Sequence, residues 1–335
     1  MRIIPKKIWI TALSLLIPYL FILIVCTYRT NYEAILPGGI TKVEDFIELD
    51  TNNEELGSFN TVFVYTYPKT TLFQNFVINN DEETEKVSYD AYLHLDNAEI
   101  NAMGQISKNV SIISAIVNAY SIAKENGHNV NLDVKFAGTK IYYRRSNHLF
   151  KIGDLITKIN GVDYMSEGYN NAFVNQKVGD VFTLLRNNEE VNVTLTSDYF
   201  NGNYITYSYY HTYTIDYENA MPKITVNPTT TGGPSGGLLQ TLALYNQITE
   251  FDYTYGKTIA GTGTMNLNGA VGGIGGIKEK IYTAYYNHVD IFFCPKVNYE
   301  EALIAYNKLP NKKRMNLISV ESLKEAINYL EGLND

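Results

Sequence analysis

The most apolar stretch of the chain is residues 8–28, which hold no charged side chain. About 20 consecutive apolar residues in a helix can cross the hydrocarbon core of a bilayer. Arg2, Lys6 and Lys7 precede this stretch, and basic residues mark the cytoplasmic flank of a membrane helix. The pattern predicts one transmembrane helix with its N-terminus in the cytoplasm and the bulk of the chain outside. A cleaved signal peptide is the alternative, although no small-residue cleavage site follows.

Further along, the apolar pattern predicts one long helix and several strands. Residues 97–126 carry apolar side chains at helical spacing, and Gly127 is suited to cap the helix. Residues 61–67 alternate like a strand, and residues 155–159 form a second strand before the tight turn at Asn160 and Gly161. The stripe of the long helix consists of Ile106, Val110, Ile113, Val117 and Tyr120.

Two glycine-rich turns, at residues 232–237 and 272–276, each precede an amphipathic helix. Glycine lets the backbone approach a bound molecule closely, and the N-terminus of a helix favours negative charge. Ser235 lies in the first turn, and Lys278 follows the second. The stripes of the two helices are Leu238, Leu242 and Tyr245 after the first turn, and Ile281 and Tyr285 after the second.

Ser235 and Lys278 suggest nucleophilic catalysis. A serine hydroxyl becomes a good nucleophile when a neighbouring base takes its proton, and a neutral lysine can be that base. Because free lysine titrates near pH ~10.4, burial must lower its pKa. The apolar run at 271–277 would supply that burial for Lys278. We therefore predict Ser235 as the nucleophile and Lys278 as the general base.

Composition narrows the classes of partner. The formal net charge is −8, and no basic stripe with interleaved aromatic residues suggests a nucleic-acid partner. Cys26 falls in the membrane stretch and Cys294 in an apolar strand, so we expect no disulfide framework. The sequence has no phosphate-binding loop or metal-ligand motif, so we expect no nucleotide, metal or other cofactor. The pattern leaves homo-oligomerisation open.

The motifs around the two turns resemble the proteolytic domain of Lon-type serine proteases. They are Gly-Pro-Ser-Gly-Gly before an apolar helix, Ile-Ala-Gly-Thr-Gly-Thr at 259–264, and Gly-Gly-Ile-Lys-Glu-Lys at 275–280. The resemblance runs from Ile224 to about residue 333 and is strongest to the membrane-anchored bacterial branch that carries a PDZ domain and no ATPase. It implies a serine endopeptidase that acts on peptide or protein substrates without ATP.

The resemblance also implies supporting roles near the dyad. Thr262 matches the family threonine that hydrogen-bonds near the lysine. The backbone N–H of Ser235, with that of Gly233, is implied as the oxyanion donor. Thr230 and Gly236 depart from the family pattern, and neither departure removes a member of the dyad.

A second resemblance covers residues 128–197, which are similar to a bacterial PDZ domain. It rests on residues 149–161, on 179–186 and on the strand at 191–196. A PDZ domain binds an extended peptide by adding it to the edge of a sheet. The stretch at 142–148 departs from the small residues that usually precede this motif, so the position of the groove is left open. The tyrosine-rich residues 198–221 are predicted to form connecting strands.

Together these features predict an α+β fold: a Lon-type proteolytic domain of mixed sheets and helices, with an inserted PDZ-like β domain, after one transmembrane helix. We expect the proteolytic domain to be split, with its first part packing against its catalytic part. The predicted segments are a cytoplasmic tail (1–7), a transmembrane helix (8–28), a juxtamembrane linker (29–56), the first proteolytic part (57–126), the PDZ-like domain (128–197), connecting strands (198–221) and the catalytic part (222–335).

Two alternatives compete with this interpretation. Residues 233–237 also fit the Gly-x-Ser-x-Gly elbow of α/β-hydrolases, in which Asp252 and His288 would complete an esterase triad. The strand leading into Ser235 is poor for that fold, and the chain after it is short. The other alternative is a membrane-tethered PDZ binding protein with an inactive protease domain, which the presence of both reactive residues disfavours.

Overall fold

The computed structural model describes residues 5–51, 56–145, 149–202, 204–311 and 314–334. Its helices are α1 (Lys6–Thr27), α2 (Leu72–Ile78), α3 (Asn97–Glu125), α4 (Tyr169–Val174), α5 (Gly237–Thr249), α6 (Ile277–Tyr286), α7 (Tyr299–Lys308) and α8 (Leu323–Glu331). Arg2 of the predicted basic flank lies outside the described residues, as does part of the stretch at 142–148.

The strands range in length from two to eleven residues. In chain order they are β1 (Tyr32–Lys42), β2 (Ile47–Leu49), β3 (Ser58–Tyr67), β4 (Glu85–Ser88), β5 (Val134–Arg144), β6 (Leu155–Ile159), β7 (Val162–Asp163), β8 (Val181–Arg186), β9 (Glu189–Thr194), β10 (Phe200–Asn201), β11 (Tyr204–Ile205), β12 (Tyr207–Ile215), β13 (Ile224–Val226), β14 (Thr258–Gly261), β15 (Thr264–Met265), β16 (Val271–Gly272), β17 (Ile291–Pro295) and β18 (Asn316–Val320).

The N-terminal helix α1 is long and apolar enough to cross a membrane, judged by length and composition. None of its residues is buried against the rest of the chain. Pro18 lies inside the helix without ending it. The predicted helix at 8–28 therefore forms as one continuous element.

A six-stranded mixed sheet organises the proteolytic part. Its spatial order is β18, β17, β14, β3, β1 and β4. The first four of these strands pair in parallel, while β1 pairs antiparallel with both β3 and β4. The parallel half is apolar on both faces, as in the fully buried β17, because helices cover it.

One hydrophobic core joins residues far apart in the sequence. The helix α3 packs along α5, and Ile116, Leu242 and Phe293 share a core from which water is excluded. Residues of α3 and β3 thus lie in the same core as the helix that follows Ser235. The long helix predicted at 97–126 is confirmed, and Asp96 caps it through a reciprocal pair of hydrogen bonds with Glu99.

The segment at 29–56, predicted as a juxtamembrane linker, contributes strands to this fold instead. Its strand β1 lies between β3 and β4, and β2 pairs with β13 in front of the serine loop. In β1 only Ala34 is buried, the residues from Ile35 to Lys42 are all half-buried, and a bulge between Pro37 and Gly39 interrupts the pairing with β3. Because this pattern does not alternate, the sequence did not predict strand β1.

A second sheet forms a separate layer with its own core. Its order is β12, β5, β6, β8 and β9, with β7 paired to β6 and α4 packed on one face. The predicted turn between β6 and β7 is confirmed, with Asn160 and Gly161 both at positive φ. The strand β12 pairs antiparallel with the whole length of β5, so the tyrosine-rich segment belongs to this sheet and is more than a connector.

The two ends of the segment that forms the second sheet lie side by side in the fold. Asn131 and Met221 exchange two backbone hydrogen bonds of 2.9 Å, which hold the two ends of the module side by side. Between these ends the module rests on α3, which contacts both β5 and β12. Adjacent ends are the geometry expected of a domain inserted into another domain.

Candidate functional site

A groove of about 1310 Å³ lies where the serine loop meets the central sheet. Ser235 lines it, together with Lys280 from α6. One wall is the strand β3, from Thr61 to Thr66, and the opposite wall is the N-terminal half of α3. The loop at 273–275 lies at its border.

Ser235 is held at the entrance to α5 by contacts of its carbonyl oxygen. That oxygen accepts hydrogen bonds from the Thr262 hydroxyl at 3.1 Å and from the Gly263 N–H at 2.7 Å. The serine itself is half-buried. Since α5 begins two residues later, the positive end of its dipole points at this turn.

The glycines before the serine allow the loop to lie directly on α3. The Gly233 N–H donates to the Gly104 carbonyl at 2.9 Å, with Gly233 at φ +91°, a conformation that favours glycine. A Cβ at Gly232 would lie 3.2 Å from the Gly104 Cα. These contacts fix the serine loop against α3, so residues from both parts of the proteolytic fold shape the site.

Of the two lysines in the motif at 275–280, Lys280 is the one that lines the groove. Its side chain is 3% exposed, and its Nζ donates to the Thr262 hydroxyl at 3.0 Å. Burial lowers the pKa of Lys280 to about 7, although the charge of Glu279 acts in the opposite direction. Thr262 thus connects the lysine amine to the backbone of Ser235 through two hydrogen bonds.

Lys278 points elsewhere. Its Nζ donates to the Thr84 carbonyl at 2.9 Å and lies 3.2 Å from a carboxylate oxygen of Glu279. Lys278 does not line the groove, and its side chain is 27% exposed. Residues two apart on a helix project about 200° apart, so α6 directs the two lysines to opposite sides. The structure therefore brings Lys280, and not the predicted Lys278, to Ser235 and Thr262.

A signal for Lys280 was present in the sequence. Ile277, Ile281 and Ala284 are fully buried and define the inner face of α6. Lys280 follows Ile277 by three residues and precedes Ala284 by four, which places it on that face. A lysine among buried apolar positions must be neutral or paired, whereas the Lys278 side chain is 27% exposed.

The two predicted oxyanion donors, the N–H groups of Ser235 and Gly233, differ in whether they are free to bind a substrate. The Gly233 N–H is already used by Gly104, so it is not free to bind a developing negative charge. Within the part of the chain that the structure describes, the Ser235 N–H donates to no protein acceptor. Of the two predicted donors, only Ser235 retains an available N–H.

Two buried polar side chains, those of Lys108 and Gln240, also line the groove. Lys108 of α3 is 6% exposed, its pKa is lowered by burial, and its Nζ is 3.5 Å from the Thr231 hydroxyl. The side chain of Gln240 is also buried, and its Oε1 accepts no hydrogen bond from the described residues. Both groups are therefore positioned to hydrogen-bond a peptide in the groove.

The triad of the esterase alternative does not assemble. His288 contacts Arg314 through its Nδ1 at 2.9 Å and lines a different, small cavity. Asp252 accepts hydrogen bonds from the backbone and hydroxyl of Thr254, so it serves the turn after α5. Neither side chain lines the groove of Ser235.

A second cavity of about 360 Å³ adjoins the groove. Pro234 and Thr264 line both spaces, so the two lie side by side next to Ser235. The other walls of the second cavity are α3 and residues 210–213 of β12. The end strand of the second sheet is thus directed toward the candidate active site.

Comparison with known proteins gives the class to which this fold and site belong. Residues 177–331 match the model of the Lon protease (S16) C-terminal proteolytic domain. The chain therefore carries a Lon-type proteolytic domain, which belongs to a class of serine peptidases. The predicted resemblance to Lon-type proteases is confirmed, while the PDZ resemblance of residues 128–197 stays a prediction.

Individual Lon proteases show the same similarity. The chain is 35% identical over 115 residues to Lon protease 2 of Borreliella burgdorferi, covering 34% of this chain and 13% of that protein. It is 33% identical over 98 residues to Lon protease of Syntrophus aciditrophicus, covering 29% and 12%. For Lon protease of Chloroflexus aggregans the identity is 34% over 112 residues, covering 33% and 12%. The chain thus spans only a small part of the length of these relatives.

Proposed function

We propose that this chain is a membrane-tethered serine endopeptidase in which Ser235 is the nucleophile and Lys280, in place of Lys278, is the general base. One observation carries the proposal. The buried amine of Lys280 bonds to the Thr262 hydroxyl, which bonds to the carbonyl of Ser235, at the wall of a large groove. The Lon-type domain supports peptide hydrolysis as the reaction.

The proposed reaction begins with neutral Lys280 taking the proton of the Ser235 hydroxyl. The serine oxygen attacks the peptide carbonyl, and the negative charge on the carbonyl oxygen is stabilised by the free Ser235 N–H at the start of α5. Protonated Lys280 then gives its proton to the leaving amine, which leaves an acyl-enzyme. Lys280 next activates a water molecule that hydrolyses the ester and restores both side chains.

Thr262 has a positioning role in this proposal. Its hydroxyl accepts from Lys280 and donates to the Ser235 carbonyl, so it orients the amine relative to the serine loop. Thr262 is fully buried, which prevents water from competing for the amine. The proposed role agrees with the one that the family resemblance implies.

The wall formed by β3 favours an extended peptide as substrate. The neighbouring strand β14 ends at Gly261, which pairs with Thr61. Beyond that point residues 62–66 of β3 line the groove, with β1 on their other side. An extended peptide can therefore add to this edge of β3 and place one of its carbonyls at Ser235.

The acid limb of the pH–rate profile tests the base. The pKa of Lys280 is lowered to about 7, so its neutral form is lost as the pH falls through that value. We expect kcat/KM on an unstructured peptide to fall about tenfold for each pH unit below this pKa. Assays should contain no ATP, and neither ATP nor a chelator should change the rate. A rate that is independent of pH between 6 and 9, roughly the range around this pKa, would contradict a lysine base.

We also propose that the sheet of β5 to β12 is a PDZ-like module inserted into a split proteolytic domain. The adjacent ends at Asn131 and Met221 support this division. Among the described strands β12 is the end strand of its sheet, and its residues 210–213 border the second cavity, so a peptide added to this edge would lie beside Pro234 and Ser235. Capture there would raise the effective concentration of the scissile segment.

Replacing residues 132–219 with a short glycine-serine linker tests this proposal. The boundaries include β12, because removal of 128–197 alone would leave β12 without its partner β5. We expect the variant to cleave a short unselected peptide nearly as fast as the parent chain, and to lose about 10²-fold in kcat/KM on a captured substrate. A folded variant with unchanged selectivity would show that the module does not capture substrate.

The membrane proposal completes the function. The helix α1 anchors the chain, with its N-terminus in the cytoplasm and the proteolytic domain outside. We therefore expect exported peptides or membrane and secreted proteins as substrates. A cysteine in place of the exposed Glu189 should react with a membrane-impermeant maleimide in intact spheroplasts. Reaction only after the membrane is disrupted would reverse the orientation.

A further inference from the structure

We propose that α2 is a membrane-surface helix that holds the open end of the groove against the bilayer. The proposal rests on the membrane anchoring proposed for α1. Its occupant is a lipid surface, into which α2 inserts its outward side chains. The consequence for function is a preference for substrate segments close to the membrane.

The polarity of α2 is reversed relative to a helix that packs on a protein core. Its buried side chain is the polar Asn75, which bonds to the hydroxyls of Thr30 and Thr70. Its outward residues are large and apolar, with exposed fractions of 41% for Leu72, 52% for Phe73, 68% for Phe76 and 50% for Val77. A cluster of this kind on an exposed surface indicates a membrane or partner interface.

The exit of α1 fixes α2 beside the membrane. The Thr30 N–H donates to the Thr70 carbonyl at 2.8 Å, and Arg29 forms a backbone bridge with Thr71, the N-cap of α2. The two helices are also in contact. Since residue 28 is the predicted end of the membrane span, α2 lies at the depth of the headgroups when α1 crosses the bilayer. This continuity with α1 identifies lipid, rather than a protein, as the occupant.

The surroundings of α2 suit an interface between lipid and water. Tyr28, Tyr65 and Tyr67 are each more than half exposed beside α1 and α2. Tyrosine is enriched at this depth because its ring is apolar and its hydroxyl remains hydrated. A short helix with such a face adds to the attachment that a single transmembrane helix provides.

The position of α2 connects the bilayer to catalysis. The strand β3 lines the groove from Thr61 to Thr66 and ends at Tyr67, just before α2. A peptide added to the edge of β3 would therefore extend toward the lipid surface. Segments that emerge from the membrane can reach Ser235 in this geometry, whereas folded domains far from the bilayer cannot.

Fluorescence quenching in vesicles tests the proposal. Phe76→Cys and, separately, Glu189→Cys would carry an environment-sensitive fluorophore in the full chain with Cys26→Ala. Cys294 can remain, because it is fully buried and its pKa is raised to about 12. After reconstitution into phosphatidylcholine and phosphatidylglycerol vesicles, brominated lipid should quench the label at 76 at least about fivefold more than the label at 189.

The outcomes separate this inference from the proposals on which it rests. Equal, weak quenching at both positions in a reconstituted and proteolytically active chain would overturn the α2 proposal alone. A blue-shifted label at 76 without quenching would also overturn it, because a protein surface would then cover α2. A label at Phe73→Cys provides a second reading should the first variant fold poorly. Failure of the chain to enter vesicles at all would instead count against the membrane anchor.

Discussion

Lys280→Met should reduce peptide cleavage by at least about 10³-fold, because the variant removes the general base that takes the proton of the Ser235 hydroxyl. Methionine is close to lysine in length and has no charge, so it fits the buried position beside Thr262. We expect the loss in kcat, with little change in KM, since Lys280 acts on the serine rather than on binding. Single-turnover kinetics on a fluorogenic peptide would measure it.

Lys278→Met is the matched control, because it removes the same side chain two residues earlier in α6. It breaks the bond to the Thr84 carbonyl and the contact with Glu279, both outside the groove. We expect its activity to stay within about threefold of the parent chain, with a stability loss of about 3 kcal/mol because the fully buried Glu279 carboxylate loses its charged partner. The reverse result, an inactive Lys278→Met and an active Lys280→Met, would restore Lys278 as the base.

Ser235→Ala should abolish cleavage, leaving at most the background rate of an enzyme without its nucleophile, about 10³-fold or more below the parent. The change removes one oxygen from a half-buried residue whose backbone carbonyl accepts hydrogen bonds from Thr262 and Gly263. Those contacts remain, so the variant should unfold at the same temperature. Thermal denaturation and peptide cleavage on the same sample would show both results.

Ser166→Ala is the control for this second prediction, because Ser166 is exposed and lines neither cavity. It should cleave at the parent rate. Substantial cleavage by Ser235→Ala would contradict the serine mechanism. Loss of cleavage accompanied by a lower unfolding temperature would point to damage to the fold, which the retained contacts of Ser235 argue against.

Local patterns predicted the elements around the site well. The stripe of Leu238, Leu242 and Tyr245 predicted α5, and the stripe at 106–120 predicted α3. Both helices bury one face against the same core, so their sequences carry the period of that face. The packing of α3 against α5 could be inferred because a helix with such a stripe needs a partner.

Features that depend on distant partners could not be read from local pattern. The strand β1 is only partly buried and bulged, and it forms because β3 and β4 offer their edges on either side. The Gly233 N–H, which was predicted as an oxyanion donor, donates instead to the carbonyl of Gly104, a residue far away in the sequence. The pairing of β12 with β5 likewise joins segments separated by most of the second sheet. Tertiary context decided each of these cases.

The identity of the proposed base differs from these cases, because the helical period of α6 indicates that Lys280 lies on a buried face. Lys280 shares a face with the fully buried Ile277 and Ala284, whereas the Lys278 side chain is 27% exposed. The family motif holds two lysines, and its resemblance together with the spacing from Ser235 led to the prediction of Lys278. Only the requirement that the base be buried selects Lys280, and the structure supplies that burial through α6 and the strand β14.

Covalent labelling of Ser235 tests the central claim most directly. A fluorophosphonate reacts only with an activated serine, and mass spectrometry of the digested protein locates the adduct. At pH 8, about one unit above the lowered pKa of Lys280, we expect rapid labelling of Ser235 in the parent chain and in Lys278→Met. Ser235 should stay unmodified in Lys280→Met over the same time. Labelling of Ser235 in Lys280→Met at the parent rate would contradict the proposed dyad.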